Sequence, residues 1–384
     1  MCFLIADISG YTSYLAGVEL DHAQDILADL VGTVVSALRP NFRLAKLEGD
    51  AAFTVAPAEK IDGSLLLDTI ERCYFGFRRR RRDVRQATSC ECNACLRIPD
   101  LNLKFVVHHG LAARQKMAGM DELVGADVIV VHRLLKNDVV ENLHVPAYAL
   151  FSQVCVEAMS IDPVALGMQA HTETYEYVGG VRGWVHDLER RWQEEEARQR
   201  VMVSEADAIL TRQLHTTAAP QVVWEFLTAP GRRKAWQHGV TDVLVDAPGN
   251  RRGVGATNHC MHGKDAIIEE VLDWRPYDYF TERSTMGTPE GPVKFLTTFE
   301  LEPVADGTII HTLFGPPKSA RERKILEAMM PMFESMFEAS DRTLAEQLCV
   351  ASAERTASPG SEPDLPTPKP DGLFAEMQPL LLLD

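Results

Sequence analysis

A chain of 384 residues that is 46% hydrophobic has enough apolar material to bury sizeable cores in two domains. Its 39 basic and 55 acidic side chains leave a formal charge of −16, which removes the basic face that general nucleic-acid binding needs and disfavours anionic membranes. No apolar run approaches the roughly 20 residues that cross a bilayer, and no secretory segment precedes the first strand, so a cytoplasmic protein with reduced thiols and no transmembrane segment is expected.

Residues 1–55 read as strand, long helix and hairpin. Phe3-Leu-Ile-Ala-Asp-Ile-Ser-Gly-Tyr-Thr12 is an apolar run ending in an acid and a Gly turn, and a helix over Thr12–Leu38 repeats Ile26, Leu27, Leu30, Val31, Val34 and Val35 at helical spacing. Leu44-Ala-Lys-Leu-Glu-Gly-Asp-Ala-Ala-Phe-Thr-Val55 is a hairpin whose turn carries Gly49 and Asp50. A second helix runs from Asp62 through Phe77 into Arg78–Arg82; strands return at Leu103–Leu111 and Val145–Phe151, with a helix over Val128–Lys136 between them. This order predicts a βαββαβ-type sheet with helices on one face. Asp7 and Asp50, at the ends of neighbouring strands, are hard oxygen donors suited to divalent ions that bridge phosphates.

These residues resemble the catalytic domain of class III nucleotidyl cyclases over residues 1–187. Asp7, Gly10, Tyr11 and Thr12 match the family's opening, while Lys46, Gly49 and Asp50 match its purine-reading lysine and second metal acid. Val106-Val-His-His-Gly110 is similar to its glycine-containing strand, and Glu122–Leu134 to the segment supplying the remaining groups. Aligning Gly125 and Val128 places Glu122 at a base-reading acid, Arg133 at the phosphate-binding arginine, and Ile129 where the family has its transition-state Asn. The resemblance implies a two-metal Mg²⁺ or Mn²⁺ site on Asp7 and Asp50, a purine nucleotide read by Lys46 and Glu122 with Arg133 catalytic, and a homodimer whose sites form across its interface. An alkyl group cannot make the Asn hydrogen bonds; losing one such contact commonly costs about 3 kcal/mol, or roughly a hundredfold in rate.

Leu188–Arg200 is a charged helix, read as part of a connector over 188–204, with Trp192 offered for dimer contacts. From residue 205 the pattern restarts: a strand (Ile209–Thr216), a helix (Ala219–Leu227), alternating segments (Val240–Val245, Ala266–Trp274, Lys294–Leu301, Gly307–Phe314) and a long helix (Ala320–Leu348). Thr216–Trp224 and Gly253-Val-Gly255 resemble the opening and glycine turn of START-like helix-grip proteins, which include polyketide cyclase-like and lipid-transfer members. The resemblance covers 205–348 and implies a cavity for an apolar small molecule or lipid. His259, Glu269 and Arg283 are candidate polar anchors inside it. Residues 349–384, rich in Pro and Ser, read as a disordered tail. The fold class is therefore α+β: a ferredoxin-like cyclase-type domain followed by a helix-grip domain.

Cys90, Cys92 and Cys95 stand either as zinc ligands with a fourth group such as Cys73 or His108, or as reduced thiols in a loop. The run Arg78–Arg82 reads as a solvated helix end, and of His108 and His109, which alternate along a strand, one reads as packed and the other as exposed. Three functions follow. The first is a nucleotide-binding cyclase homologue, weakly active or inactive, coupled to a hydrophobic-ligand domain in signalling. The second is an active nucleotidyl cyclase acting on ATP or GTP, a phosphorus–oxygen lyase. The third is a lipid or aromatic-metabolite binding protein that uses its first domain as a dimerisation scaffold.

Overall fold

The computed structural model describes residues 1–356 apart from 17, 19, 40, 88–91, 118, 119 and 264. They form two compact units that divide between Ala197 and Arg198.

The first unit runs β1 (Cys2–Ser9), α1 (Tyr11–Leu15), α2 (Leu20–Leu38), β2 (Arg43–Glu48), β3 (Ala51–Ala56), α3 (Gly63–Ala87), α4 (Asn93–Leu96), β4 (Asn102–His109), β5 (Ala113–Met117), β6 (Met120–Val124), α5 (Ala126–Leu134), α6 (Val139–Leu143), β7 (Tyr148–Ser152), α7 (Gln153–Ala158), β8 (Gln169–Tyr175), β9 (Gly179–Asp187) and α8 (Leu188–Ala197). Its sheet has the order β2-β3-β1-β4-β7-β9-β8, with β5 and β6 pairing as a separate hairpin. β1 lies between antiparallel β3 and β4, and β4 runs parallel to β7. This is the ferredoxin-like arrangement expected.

Helices cover both faces of this sheet, not one. Every residue of β1 from Cys2 to Ala6 is buried, so both alternating sets of side chains need a cover. Phe3 and Ile5 join Val128, Val131 and Leu134 of α5 in one core cluster, while α2 and α3 pack on each other and against β3 and β4. The helix expected over Thr12–Leu38 is two helices, with Ala16 and Val18 outside both. α1 is held by Tyr14, whose hydroxyl donates to the Ala94 carbonyl at 2.9 Å. Trp192 of α8 is buried within its own unit, edge-on to Phe75 at 5.5 Å, which removes it as a free dimer contact.

The second unit runs β10 (Leu210–Thr216), α9 (Pro220–Thr228), α10 (Pro230–Trp236), β11 (Asp242–Asp246), β12 (Thr257–His262), β13 (Asp265–Arg275), β14 (Tyr279–Met286), β15 (Val293–Val304), β16 (Gly307–Phe314) and α11 (Ala320–Thr356). The antiparallel sheet has the order β10-β16-β15-β14-β13-β12-β11, and α11 packs against it as a helix-grip fold requires. α11 continues past Leu348 to Thr356, so the first residues of the expected tail are helical; residues 357–384 lie outside the described residues. The connector expected to be helical over 188–204 stops being so at Ala197. Beyond it the chain is extended and hydrogen-bonded within the second unit: the Val201 N–H donates to Asp273 Oδ2 at 2.9 Å and the Val203 N–H to Thr298 Oγ1 at 2.9 Å.

Candidate functional site

In the first unit, strand register assembles the acidic residues. Asp7 stands opposite Ala51 on β3 and opposite Lys104 on β4, so the turn residue Asp50 falls beside it. Gly49, at φ 66°, supplies the left-handed backbone that closes this hairpin. Burial first, and then the negative charge of Asp7, push the Asp50 carboxyl up to about 6. Lys104 Nζ lies 3.2 Å from Asp7 Oδ2 and donates to the Leu135 carbonyl at 3.4 Å, tying β1 and β4 to the end of α5. The two carboxylates fit a divalent cation in donor type, and a cation between them would relieve the repulsion that raises Asp50. Lys104 competes for that place.

Lys46 and Glu122 also meet within one chain, Nζ to Oε1 at 3.1 Å. Both are partly exposed, so the pair contributes on the order of 0–1 kcal/mol. Its consequence is positional: it joins edge strand β2 to the β5–β6 hairpin. On α5 the residues Val128, Val131 and Leu134 face the core, which leaves Ile129 56% exposed with Arg133 one turn further along the same open side. His132 Nδ1 is 3.4 Å from Glu48 Oε2, and its ring packs edge-on against Phe53 at 4.9 Å.

A Ser–His–Asp chain escaped the sequence reading. His108 Nδ1 is 2.7 Å from Ser152 Oγ and its Nε2 is 3.2 Å from Asp127 Oδ1. The residue types are those of a nucleophilic triad, but Ser152 is 1% exposed and its Oγ accepts the Cys155 N–H as the cap of α7. No substrate reaches that hydroxyl. The chain is a strut joining β4, α5 and β7, buried at His108 and Ser152 and partly exposed at Asp127, and Gly110 makes room for it: a Cβ there would lie 2.2 Å from the Asp127 side chain. Of the two adjacent histidines, His108 is the packed one and His109 is partly exposed.

Cys90 lies outside the described residues; Cys95 is buried, Cys92 half-buried and Cys73 buried inside α3. Among the described residues no group of three His, Cys, Asp or Glu side chains is placed to hold a metal. The arginine run is not a solvated helix end. Arg78 pairs with Glu189, Arg80 forms a two-pronged pair with Asp29 at 2.6 and 2.7 Å, Arg81 donates to the Leu101 carbonyl, and Arg79 lies over the Trp192 ring. These contacts exist because α3 is covered by α2 and α8 where sequence alone shows only a charged helix end.

In the second unit the sheet and α11 enclose a cavity of 110 Å³. Its apolar wall is aromatic, with Phe280 stacked on Phe299 at 4.7 Å and Phe314 on Phe337 at 5.0 Å. Its polar floor centres on Arg233, which donates from Nη1 to Glu269 Oε2 at 2.7 Å and from Nη2 to Glu269 Oε1 at 3.0 Å. Burial alone would push Arg233 down, but the adjoining Glu269 carboxylate outweighs it and holds the guanidinium charged. Glu282 also lines the floor: burial first, then the Glu269 charge, push its carboxyl up to about 8, with Arg233 pulling the other way. Of the three polar anchors expected here, Glu269 lines the cavity. His259 and Arg283 do not: His259 alternates with the buried Cys260, which Arg233 reaches, Arg283 alternates with the cavity-lining Glu282, and Arg283 pairs with Glu270 at 2.9 Å on the outer side.

Comparisons with known proteins divide along the same line. Residues 27–143 match a family described as a protein of unknown function, DUF2652, and residues 207–348 match the family of polyketide cyclase / dehydrase and lipid transport. An uncharacterized protein of Mycobacterium tuberculosis, Rv2561/Rv2562, is 42% identical over 113 residues, which is 29% of this chain and 52% of that protein. The chain thus spans about half the length of this curated relative. Among solved structures, the guanylyl cyclase Cya2 is similar at 14% identity and a TM-score of 0.38, covering 48% of this chain and 89% of that one. Protein MLL2253 of Mesorhizobium loti is similar at 18% identity and a TM-score of 0.29, covering 35% and 95%. No helix among the described residues is long and apolar enough to cross a membrane. The C-terminal part of the chain carries a domain of the polyketide cyclase / dehydrase and lipid transport type.

Proposed function

We propose that this chain is a small-molecule-binding protein whose C-terminal cavity holds an apolar ligand, joined to a cyclase-like domain that binds a nucleotide and turns it over weakly or not at all. The observation that carries this reading is the aromatic cavity with the Arg233–Glu269 ion pair on its floor, a combination that ligand pockets share. The match of this segment to a family of lipid transport and polyketide cyclases supports it. The test is unfolding of the whole protein in the presence of single-ring and fused-ring aromatic compounds. A compound that raises the midpoint in the wild type and does nothing after Leu326→Trp, which fills the cavity from α11, supports the reading; no response to any compound rejects it.

The second reading, an active cyclase, is favoured by one arrangement: Asp7 lies beside Asp50, and Lys46 meets Glu122. Asp7 and Asp50 would hold a divalent cation, which when bound supplies charge neutralisation to the phosphates. Lys46 and Glu122 would read the purine edge, and Arg133, on the open side of α5, would contact phosphate from the partner subunit of a homodimer. Against it stands Ile129, which offers no hydrogen bond on that same open side. Cyclic-nucleotide production with Mn²⁺ and ATP or GTP, beside an Asp50→Ala control, separates the two readings. Product lost in the control establishes the enzyme, whereas nucleotide binding without product leaves the retired site.

A further inference from the structure

We propose that Glu282 anchors the ligand of the C-terminal cavity, donating a hydrogen bond to a carbonyl oxygen on a neutral molecule of about one ring. The inference deepens the ligand-binding reading and rests on it. Glu282 stands on β14, between register partners Val271 and Thr297, with Phe280 and Ser284 beside it on the cavity-facing side. It is 3% exposed, and its Oε2 has no hydrogen-bond partner. A buried polar atom left without a partner costs about 1–3 kcal/mol, so a cavity-lining residue that carries one is the place where a ligand group would complete the structure. His262 adds a second one: its Nε2 is buried, unpartnered and belongs to a residue lining the same cavity.

The neighbours decide which chemistry fits. Glu269 already carries the negative charge at the floor and is held by both arms of Arg233. A second carboxylate beside it is disfavoured by burial and by like charge, so Glu282 keeps its proton and presents an O–H donor at neutral pH. The preferred partner of a neutral carboxylic acid is a neutral acceptor such as a ketone or aldehyde oxygen. An anionic ligand finds no spare arginine, because the two that line the cavity are committed, Arg233 to Glu269 and Arg212 to Asp341. It would also meet the carboxylates of Glu269 and Asp341. Size sets the last limit: the cavity measures 110 Å³, somewhat less than the roughly 150 Å³ of an engineered apolar cavity known to hold benzene. One ring with a short carbonyl substituent is already larger than benzene, so it is the upper limit and enters only as α11 gives way.

The experiment compares acetophenone, isopropylbenzene of nearly the same shape, benzoate and benzylamine on the full-length protein, by titration calorimetry at pH 7. The wild type is expected to bind acetophenone about tenfold more tightly than isopropylbenzene, the worth of one net hydrogen bond, and to discriminate against both charged probes. Glu282→Gln, which keeps an N–H donor at that place, should retain the ketone preference; Glu282→Leu should bind the two neutral probes alike. Infrared spectra of bound, carbonyl-labelled acetophenone give a measurement on the wild type alone: a hydrogen-bonded carbonyl stretch lies below its position in alkane solvent. Isopropylbenzene binding with no ketone advantage, an unshifted carbonyl, or preference for benzoate or benzylamine overturns the anchor while leaving ligand binding intact. Failure of every probe to bind overturns both.

Discussion

Lys104 holds the carboxylate of Asp7 at 3.2 Å, so the first acid of the Asp7–Asp50 pair already has a cation. The pair is shielded, with the lysine side chain 21% and the aspartate 19% exposed, so it weighs more than a surface pair. Its ammonium also lowers the neighbouring Asp50, against the larger effects of burial and Asp7 that raise it. Lys104→Met therefore leaves two uncompensated carboxylates side by side. The expected outcome is a gain of about tenfold in Mn²⁺ affinity, read by titration with paramagnetic resonance at pH 8, where Asp50 is ionised. Unchanged affinity would remove Asp7 from the metal hypothesis.

Glu282 makes the second unit sensitive to pH. Its carboxyl rises in the folded state from an ordinary 4.5 to about 8, so between these values folding takes up a proton. The contribution is fully present below pH 4.5 and is lost as pH rises through 8. The charged groups set against it are Glu269, which deepens the effect, and Arg233, which limits it. Glu282→Gln is expected to match the wild type near pH 4.5 and to exceed it above pH 8, by up to about 5 kcal/mol. Denaturant midpoints across that range measure this. A wild-type advantage at pH 9 would reverse the sign and sink the argument.

Removing Arg233 leaves Glu269 buried and charged without its partner. Arg233→Met is expected to cost about 3–5 kcal/mol, whereas the double change Arg233→Met, Glu269→Met should cost less than the single one. Trp224, Trp236 and Trp274 are buried in the same unit, so tryptophan fluorescence during denaturation reports the loss directly. Equal cost of single and double variants would mean that the pair's charge burial is not what matters.

In the first unit, Gly110→Ala should destabilise by about 1–3 kcal/mol, since its Cβ would meet the Asp127 side chain at 2.2 Å and push it off His108. Asp127→Gly, which removes the Cβ 2.5 Å away as well as the carboxylate, should make the added methyl nearly neutral. A double-mutant cycle on midpoints checks the coupling.

The two folds were legible because their signals are local. An apolar run ending in Asp7, a hairpin closed at Gly49, and a strand–helix–strands–long helix order all lie within short windows. The neighbours that set the chemistry do not. Lys104 reaches Asp7 only through the register of β1 with β4, and Glu282 meets Glu269 and Arg233 only once β13, β14 and α10 are in place. Polar residues on both faces of β12 and β14 hid which set faces inward, so His259 and Arg283 looked as suitable as Cys260 and Glu282. The irregular register between Val271 and Asp273 hid it further.

The extended stretch after Ala197 bears on how this protein is to be cut. A C-terminal fragment begun at residue 205, where the strand pattern restarts, would lack the Val201 and Val203 N–H groups that Asp273 and Thr298 accept. It would also lack the Arg198 carbonyl that receives Arg275 at 3.1 Å. Asp273 and Thr298 are both fully buried; each would lose one donor and keep only its partner within the sheet, Tyr279 for Asp273 Oδ2 and Thr281 for Thr298 Oγ1. A fragment begun at Arg198 keeps all three bonds, and a difference of only seven residues is expected to separate a soluble expression product from an aggregating one.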